Sequence, residues 1–272
     1  MSEVTSAKGV TGGVLGIITA IAGFMWMMVL LLFITDLLNY SSALSFVWSQ
    51  ILFTYLGYAG TVATLMVPYP SSINLFIMSS VMLAVVIFVF GVMIGFGFYK
   101  LYSESGSSMG LVYLSACAVG TLVAGMLIAV GGWVQTTIIQ ISQSTPGFGA
   151  DFIPLRVPAT SYTWIGEIVL GAVLIILGVA SMRIRMSVER RKSALAAGVL
   201  SLICGVVFAL HIIVIIFFTG QVALAPDYGF SMMPMLITGY IFSTIFTLVG
   251  FGLLLVVSVL WTRVFLASST SE

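Results

Sequence analysis

Apolar residues are gathered into seven long runs that together cover most of the chain. Each run is continuously apolar, without the two-residue alternation of a strand that faces water on one side. Runs of about 20 apolar residues have the length that a helix needs to cross a hydrocarbon layer about 30 Å thick. The pattern therefore predicts membrane-spanning helices over the approximate ranges 10–36, 43–67, 75–99, 109–133, 165–182, 194–219 and 232–261.

The composition supports this interpretation, because 61% of the residues are hydrophobic and only 6% are charged. So few charges cannot cover the surface of a protein that dissolves in water. A helix also satisfies its own backbone hydrogen bonds inside lipid, which favours helices over a barrel for continuously apolar runs. We expect a single all-α domain over residues 1–272, a polytopic transmembrane helix bundle.

The second run, 43–67, is the least certain span. It is diluted by polar residues, tyrosines and glycines and ends at two prolines: Gln50, Tyr55, Gly57, Tyr58, Gly60, Pro68 and Pro70. With seven spans, the rule that basic residues stay cytoplasmic places the N-terminus outside and the C-terminus inside, with seven basic residues inside against two outside. With six spans the ratio is eight to one and both ends are cytoplasmic. We choose seven spans, because a run of that length is costly to leave in water.

Small residues four apart predict where the helices pack, because lipid-embedded helices associate through close backbone approach. Such rows occur in the third, fourth and sixth runs, and we expect the fourth and sixth helices at the centre of the bundle. The predicted packing residues are Gly91, Gly95, Gly120, Ala124, Ala197, Ser201, Gly205 and Ala209. Whether a row faces this chain or another subunit stays open at this point.

His211 is the only histidine of the chain and lies in the outer half of the sixth run. An ionisable group inside a span is costly and is a candidate functional residue. Its imidazole can donate a hydrogen bond to a hydroxyl or quinone oxygen, or supply one axial ligand to a haem, which makes it a cofactor-binding candidate. The simpler interpretation is a histidine hydrogen-bonded within the bundle, and we predict no cofactor for the chain as a whole.

Glu167 lies near the outer start of the fifth run, beside Tyr162 and Trp164. A carboxylate in the first turn of a helix is stabilised by the helix dipole, and aromatic residues collect at membrane interfaces. The sequence therefore predicts an interfacial carboxylate at the outer edge of the bundle. Since His211 also lies toward that side, proton handling by the two residues is a further hypothesis.

The segments 135–162 and 221–231 are the outer connections of this topology. The first is long, nearly neutral and rich in proline and glycine, and the second contains Pro226 and Gly229. Irregular connections of such length are often functional. We expect either an outer cap built from both segments or plain connectors.

Several functional classes are excluded or disfavoured by missing chemistry. The seventh run has no lysine for a retinal Schiff base, and the central thirds of the runs lack the carboxylates that ion-coupled transporters use. Paired aspartates or His and Glu clusters of an intramembrane protease are missing, as are glycine patterns that cradle nucleotides. Nothing in the sequence indicates a nucleic-acid partner.

Two classes remain. The first is a non-catalytic membrane subunit that stabilises a larger complex, energy-converting or transporting, with the lipid bilayer and other subunits as partners and the plasma membrane as location. The alternative is a channel or facilitator for a small neutral or apolar solute, lined by polar residues that helical spacing puts on one face: Gln50, Thr54, Thr61 and Thr64. Catalytic activity of its own is the less favoured reading.

Overall fold

The computed structural model describes residues 8–32, 72–104, 106–144, 153–184, 188–224 and 233–269, and their regular secondary structure is entirely α-helical. The helices are α1 (8–32), α2 (Ser72–Glu104), α3 (Met109–Ser144), α4 (Ile153–Arg183), α5 (Val188–Ala209), α6 (His211–Leu224) and α7 (Met233–Ser269). Within these residues, six stretches are long and apolar enough to cross a membrane: Lys8–Leu32, Asn74–Glu104, Met109–Val134, Tyr162–Arg183, Arg191–Phe217 and Ile241–Leu266. The prediction of an all-helical, multi-spanning membrane protein is confirmed.

The fifth of these spans is made of two helices, because α5 ends at Ala209 and α6 begins at His211. The predicted second span, 43–67, lies outside the described residues. The choice between seven and six spans therefore stays a prediction.

Helices α3 and α4 extend into a segment that the sequence predicted to be irregular. The segment 135–162 was expected to be an irregular connection, but α3 continues to Ser144 and α4 already begins at Ile153. The prolines Pro154 and Pro158 were the misleading signal. Pro154 lies in the first turn of α4, where backbone amides have no acceptor within the helix, so a proline there removes no hydrogen bond.

The six spans pack as a closed ring. Consecutive helices from α2 to α5 are neighbours, α5 and α6 pack against α7, and α6 also contacts α4. Helix α1 closes the ring, since Gly12 lies against the backbone of Ile94 in α2 and Gly16 against Ser258 in α7. Every span therefore has two neighbouring spans within the same chain.

One end of the bundle collects the basic side chains. Gly9 at the start of α1 contacts Phe265 near the end of α7, so the two chain ends of the described bundle lie together. The short turn from α2 to α3 and the junction of α4 with α5 lie at this same end, where Ser181 donates a hydrogen bond to Ala194 O. We call it the basic end, after its side chains Lys8, Lys100, Arg183, Arg191, Lys192 and Arg263.

Aromatic side chains fill the centre between α1, α2 and α7. Trp261 stacks on Phe90 at 6.3 Å between ring centroids and meets the edge of Phe98 at 6.1 Å. Nearer the opposite end, Trp26 stacks on Phe76 and donates a hydrogen bond of 2.9 Å to Ser80 Oγ. These rings are almost fully buried, so this part of the bundle has a packed interior.

The residues predicted to pack the helices lie at contacts inside this chain. Gly91 lies against Thr121, Gly95 against Cys117, and Gly120 against Val173. Ala124 O approaches Gly166, and Ala197 and Ser201 are fully buried. Gly205 lies against Gly171, and Ala209 also approaches that glycine.

The closest approach is between α4 and α5, where two pairs of glycines face each other. A methyl group added at Gly171 would lie 2.6 Å from Gly205 O, and one added at Gly178 would lie 2.8 Å from Gly198 O. The reverse distances are equally short, at 2.5 and 2.9 Å. Only glycine allows both backbones to approach this closely.

Candidate functional site

Three helices bring polar side chains together near the end opposite to the basic end. Glu167 comes from α4, His211 is the first residue of α6, and Thr247 comes from α7. All three side chains are buried, with exposures of 1%, 0% and 1%. Buried polar groups persist in a bundle when they satisfy one another, and these three do so. We call them the Glu-His-Thr cluster.

The three side chains form a triangle of short contacts. The hydroxyl of Thr247 donates to Oε2 of Glu167 at 2.6 Å. Nε2 of His211 lies 3.1 Å from the same Oε2 and 3.2 Å from Oγ1 of Thr247. Nδ1, the other ring nitrogen, lies 2.9 Å from Phe208 O. Since a carbonyl oxygen only accepts, Nδ1 carries a proton and donates it there.

The interruption between α5 and α6 places the histidine. Leu210 N donates to Val206 O at 3.0 Å, whereas Ile213 N donates to Leu210 O at 2.9 Å with the shorter spacing of a 3₁₀ turn. The bond from His211 to Phe208 O falls at the same turn. A side chain that hydrogen-bonds to the backbone of its own helix competes with the regular backbone hydrogen bonds. The bond from His211 to Phe208 O therefore accounts for both the irregular turn and the position of the imidazole ring.

The cluster is closed by apolar groups toward the basic end. Phe208 and Phe251 meet edge to face at 5.3 Å, and Cys204 beside them donates to Gly250 O. All three side chains are fully buried. A hydrated path from the cluster toward the basic end would have to pass this aromatic pair.

Toward the opposite end polar and apolar side chains are mixed, because buried Trp164 and Val214 pack there with Phe246. Thr163 lies one turn before Glu167 on α4, and Ser243 lies one turn before Thr247 on α7, both buried. Oγ1 of Thr163 has no hydrogen-bond partner within the described part of the chain. The ring of Phe246 packs edge to face on His211 at 5.7 Å. Polar groups therefore continue for a turn on two of the three helices.

The helical rise locates the cluster along the bundle axis. Sixteen residues separate Glu167 from Arg183 and Thr247 from Arg263, which is about 24 Å in a helix. If the basic side chains lie at one surface of a hydrocarbon layer about 30 Å thick, the cluster lies in the third farthest from them. The charges at the basic end are thus far from Glu167 and His211.

The arrangement differs from a catalytic triad. In a triad the acid and the nucleophile contact opposite nitrogens of the imidazole. Here Glu167 and Thr247 both contact Nε2 of His211, and the threonine donates to the acid. The geometry therefore suits holding a proton rather than activating a hydroxyl for attack.

His211 was also the candidate for binding a cofactor. Both of its ring nitrogens have partners within the bundle and the ring is fully buried, so in this arrangement neither nitrogen is available to a haem iron. Among the described residues, no three or more His, Cys, Asp or Glu side chains are grouped so that they can hold a metal ion.

The structure places Glu167 differently from the prediction. The sequence placed it in the first turn of a helix at the outer edge, as an interfacial carboxylate. Helix α4 begins at Ile153, fourteen residues earlier, and the Glu167 side chain is 1% exposed. The helix dipole therefore has no special role at this position, and the carboxylate depends on its two side-chain partners instead.

The structure brings Glu167 and His211 together, whereas the polar residues predicted to line a path, Gln50, Thr54, Thr61 and Thr64, lie outside the described residues. Sequence reasoning missed Thr247. The position of Thr247 within its apolar run could have indicated it, because a buried carboxylate requires a hydrogen-bond partner at a similar depth in the membrane. Several hydroxyls of the seventh run met that criterion, and only the side-chain contact of Thr247 with Glu167 in the structure distinguishes it from the others.

A scan against protein-family models and searches of curated proteins and of solved structures found no match to this chain. The packing of the bundle and its exposed surface are therefore the basis for inferring what the protein does.

Proposed function

We propose that this protein is a multi-spanning subunit of a larger membrane complex, without a catalytic centre of its own. The observation that carries the proposal is the packed interior. Trp26, Phe90, Phe98 and Trp261 fill the space between α1, α2 and α7, and Phe208 with Phe251 closes the polar cluster toward the basic end. This interior is that of a rigid scaffold, and it gives the alternative of a channel no support within the described helices.

The surface of α1 and α2 offers a place for a partner. Met25 and Met28 on α1 and Met78 and Met82 on α2 are each more than 60% exposed. They lie near the depth of the contact between Trp26 and Ser80, so the two pairs are at a similar level. Methionine side chains are flexible and polarizable and suit surfaces that adapt to another protein. The partner in this proposal is a membrane-spanning helix of another subunit.

The small-residue rows described above are already used within the chain, because their glycines contact neighbouring helices of the same bundle. A partner therefore meets large side chains instead of a glycine groove. This favours the surface formed by Met25, Met28, Met78 and Met82 over the small-residue rows as the interface.

Purification in a gentle detergent tests the subunit role. We expect a stoichiometric partner with the wild type, its loss with the double variant Met78→Trp and Met82→Trp, and its retention with Val119→Trp, which changes an equally exposed position on α3. Solute flux through the isolated chain in liposomes, together with the absence of any partner, would refute the proposal and favour the channel hypothesis instead.

The proposed orientation places the basic end in the cytoplasm and the protein in the plasma membrane. Lys8, Lys100, Arg183 and Arg263 lie together at that end, and basic residues near spans stay on the cytoplasmic side. This agrees with the six-span alternative of the sequence analysis, in which both chain ends are cytoplasmic.

A cysteine at the turn between α2 and α3 tests this orientation. Ser108 is exposed in that turn, whereas the native Cys117 and Cys204 are buried. We expect Ser108→Cys to react with a membrane-impermeant maleimide only after the cells are permeabilised. Labelling in intact cells would place the basic end outside and overturn the orientation.

A further inference from the structure

The Glu-His-Thr cluster needs one proton more than the hydroxyl of Thr247 and Nδ1 of His211 supply. The single hydroxyl hydrogen of Thr247 is directed to Oε2 of Glu167, and the proton on Nδ1 of His211 is directed to Phe208 O. Nε2 then faces Oε2 at 3.1 Å and Oγ1 at 3.2 Å. Without a proton in this space, lone pairs from three atoms converge and Glu167 is an anion without a counter-charge.

One proton in that space satisfies the whole cluster. On Nε2 it gives an imidazolium that donates to the carboxylate of Glu167 and to Oγ1 of Thr247. On Oε2 it gives a carboxylic acid that donates to a neutral imidazole and still accepts from the threonine. The two forms contain the same number of protons and both have zero net charge, which is the least costly total charge inside a membrane.

We propose that Glu167, His211 and Thr247 form a proton-binding site that holds one proton between Nε2 of His211 and Oε2 of Glu167 and exchanges it with the water at the end opposite to the basic end. Loss of this proton leaves a net negative charge with at most 1% exposure, and gain of a second leaves a net positive one. Both changes carry a large desolvation cost. The site therefore binds a single proton, and that proton links α4 to α6.

No other charged group shares this role among the described side chains. Helices α3, α4, α5, α6 and α7 surround the pair. Of their other described titratable side chains, only Tyr162 and Cys204 lie within two helical turns of Glu167 or His211 along the chain. Tyr162 is 42% exposed, and Cys204 donates to Gly250 O. The others are Tyr113, Cys117, Arg183, Arg191, Lys192 and Arg263.

The direction of exchange follows from the position of the cluster, which lies about 24 Å from Arg183 and Arg263 and nearer to the opposite end. The contact of Phe208 with Phe251 closes the cluster toward the basic end. In the other direction buried Trp164 and Val214 lie beside the hydroxyls of Thr163 and Ser243, and Oγ1 of Thr163 is without a partner in the described part of the chain. The irregular turn at Leu210 lies at the same level as His211 and makes this stretch of backbone easier to open than a regular helix. Proton exchange therefore occurs through brief opening toward this end.

His211 is the only histidine, so labelling histidine with nitrogen-15 gives signals from this site alone. In lipid nanodiscs at neutral pH we expect either two protonated ring nitrogens by NMR, or one bare nitrogen together with the infrared band of a protonated carboxyl. A bare nitrogen without that band would overturn the proposal, because no proton would then lie between the two groups.

The variant Glu167→Gln removes one holder of the proton at nearly constant volume. We expect the fraction with two protonated nitrogens to fall at least about tenfold, or the carboxyl band to disappear. The matched control is Thr19→Val, which removes a fully buried hydroxyl that donates only to Leu15 O in its own helix, and it leaves both signals unchanged. A spectrum of Glu167→Gln equal to that of the wild type would refute the shared proton. If Glu167→Gln does not fold, the wild-type NMR and infrared signals decide the question.

Sealed liposomes with one protein orientation test the direction of exchange. A change of pH large enough to remove the shared proton should alter the His211 signal when it is applied on the side opposite to the basic end, and the same change at the basic end should not. The reverse result would overturn the direction of exchange. Because the isolated chain is used, this outcome is independent of whether the protein has partner subunits.

Discussion

The substitution Gly205→Ala is the sharpest test of how α4 and α5 pack. The added methyl group would lie 2.5 Å from Gly171 O, 2.6 Å from Cγ1 of Ile175 and 3.0 Å from the Ile175 nitrogen. Two of these three atoms belong to the backbone, which cannot rotate away as a side chain can. Ordinary contact begins at 3.4 Å, so the two helices must separate by about 0.9 Å, the difference between 3.4 and 2.5 Å.

Overpacking of this kind costs about 1 to 3 kcal/mol. A chain of this size then unfolds at a temperature lower by roughly 2 to 10 °C. Gly171 lies one helical turn from Glu167. The same separation is therefore expected to lengthen the contact between Glu167 and His211 as well.

The assay uses the two cysteines of the chain, Cys117 and Cys204, which are both buried. A thiol-reactive fluorophore reports unfolding as the detergent-solubilised protein is heated, because neither thiol is accessible while the bundle is intact. The matched control is Gly252→Ala, where the nearest heavy atom to the added methyl group is the ring of Phe24 at 3.7 Å. That variant should be as stable as the wild type or slightly more stable, since alanine is the better helix former. Equal unfolding temperatures for Gly205→Ala and Gly252→Ala would refute the close-packing argument.

Three further predictions use the same assay. Tyr102→Phe removes the hydroxyl that donates to Ala180 O at 2.8 Å and should cost about 1 kcal/mol, and an unchanged unfolding temperature would contradict this. Trp26→Phe removes the donor to Ser80 Oγ and leaves a cavity beside a fully buried ring, so a larger loss than for Tyr102→Phe is expected, and an equal or smaller loss would contradict this. Gly106 has a φ of 73° with open space around it, so Gly106→Ala should destabilise by about 1 kcal/mol through backbone strain and Gly106→Asn by less, and the opposite order would be evidence against strain.

The sequence predicted the helices and their location in a membrane well, because both depend on properties of short stretches of the chain. A span needs about 20 successive apolar residues, and this can be read within each run without knowing its neighbours. The boundary of α4 was wrong for a local reason too. Pro154 is typical of loops, but the first turn of a helix tolerates it equally well.

The pairing of the helices could not be read in this way. Lipid is as apolar as the interior of the bundle, so hydrophobicity does not distinguish a face that meets lipid from one that meets another helix. The rows containing Gly91 and Gly205 indicated close packing but did not identify the partner helices. Only the structure shows that Gly205 faces Gly171 and that Gly91 faces Thr121.

The same limit applies to the candidate site. The sequence by itself singled out His211, because an ionisable side chain within a span stands out against apolar neighbours, whereas it placed Glu167 at the outer edge as an interfacial carboxylate. Thr247, which is 80 residues from Glu167 and 36 from His211, looks like an ordinary polar residue of its run. Tertiary structure alone decided that the three meet, because their contact depends on which helices are neighbours and at what depth, and neither is encoded in any one stretch of the chain.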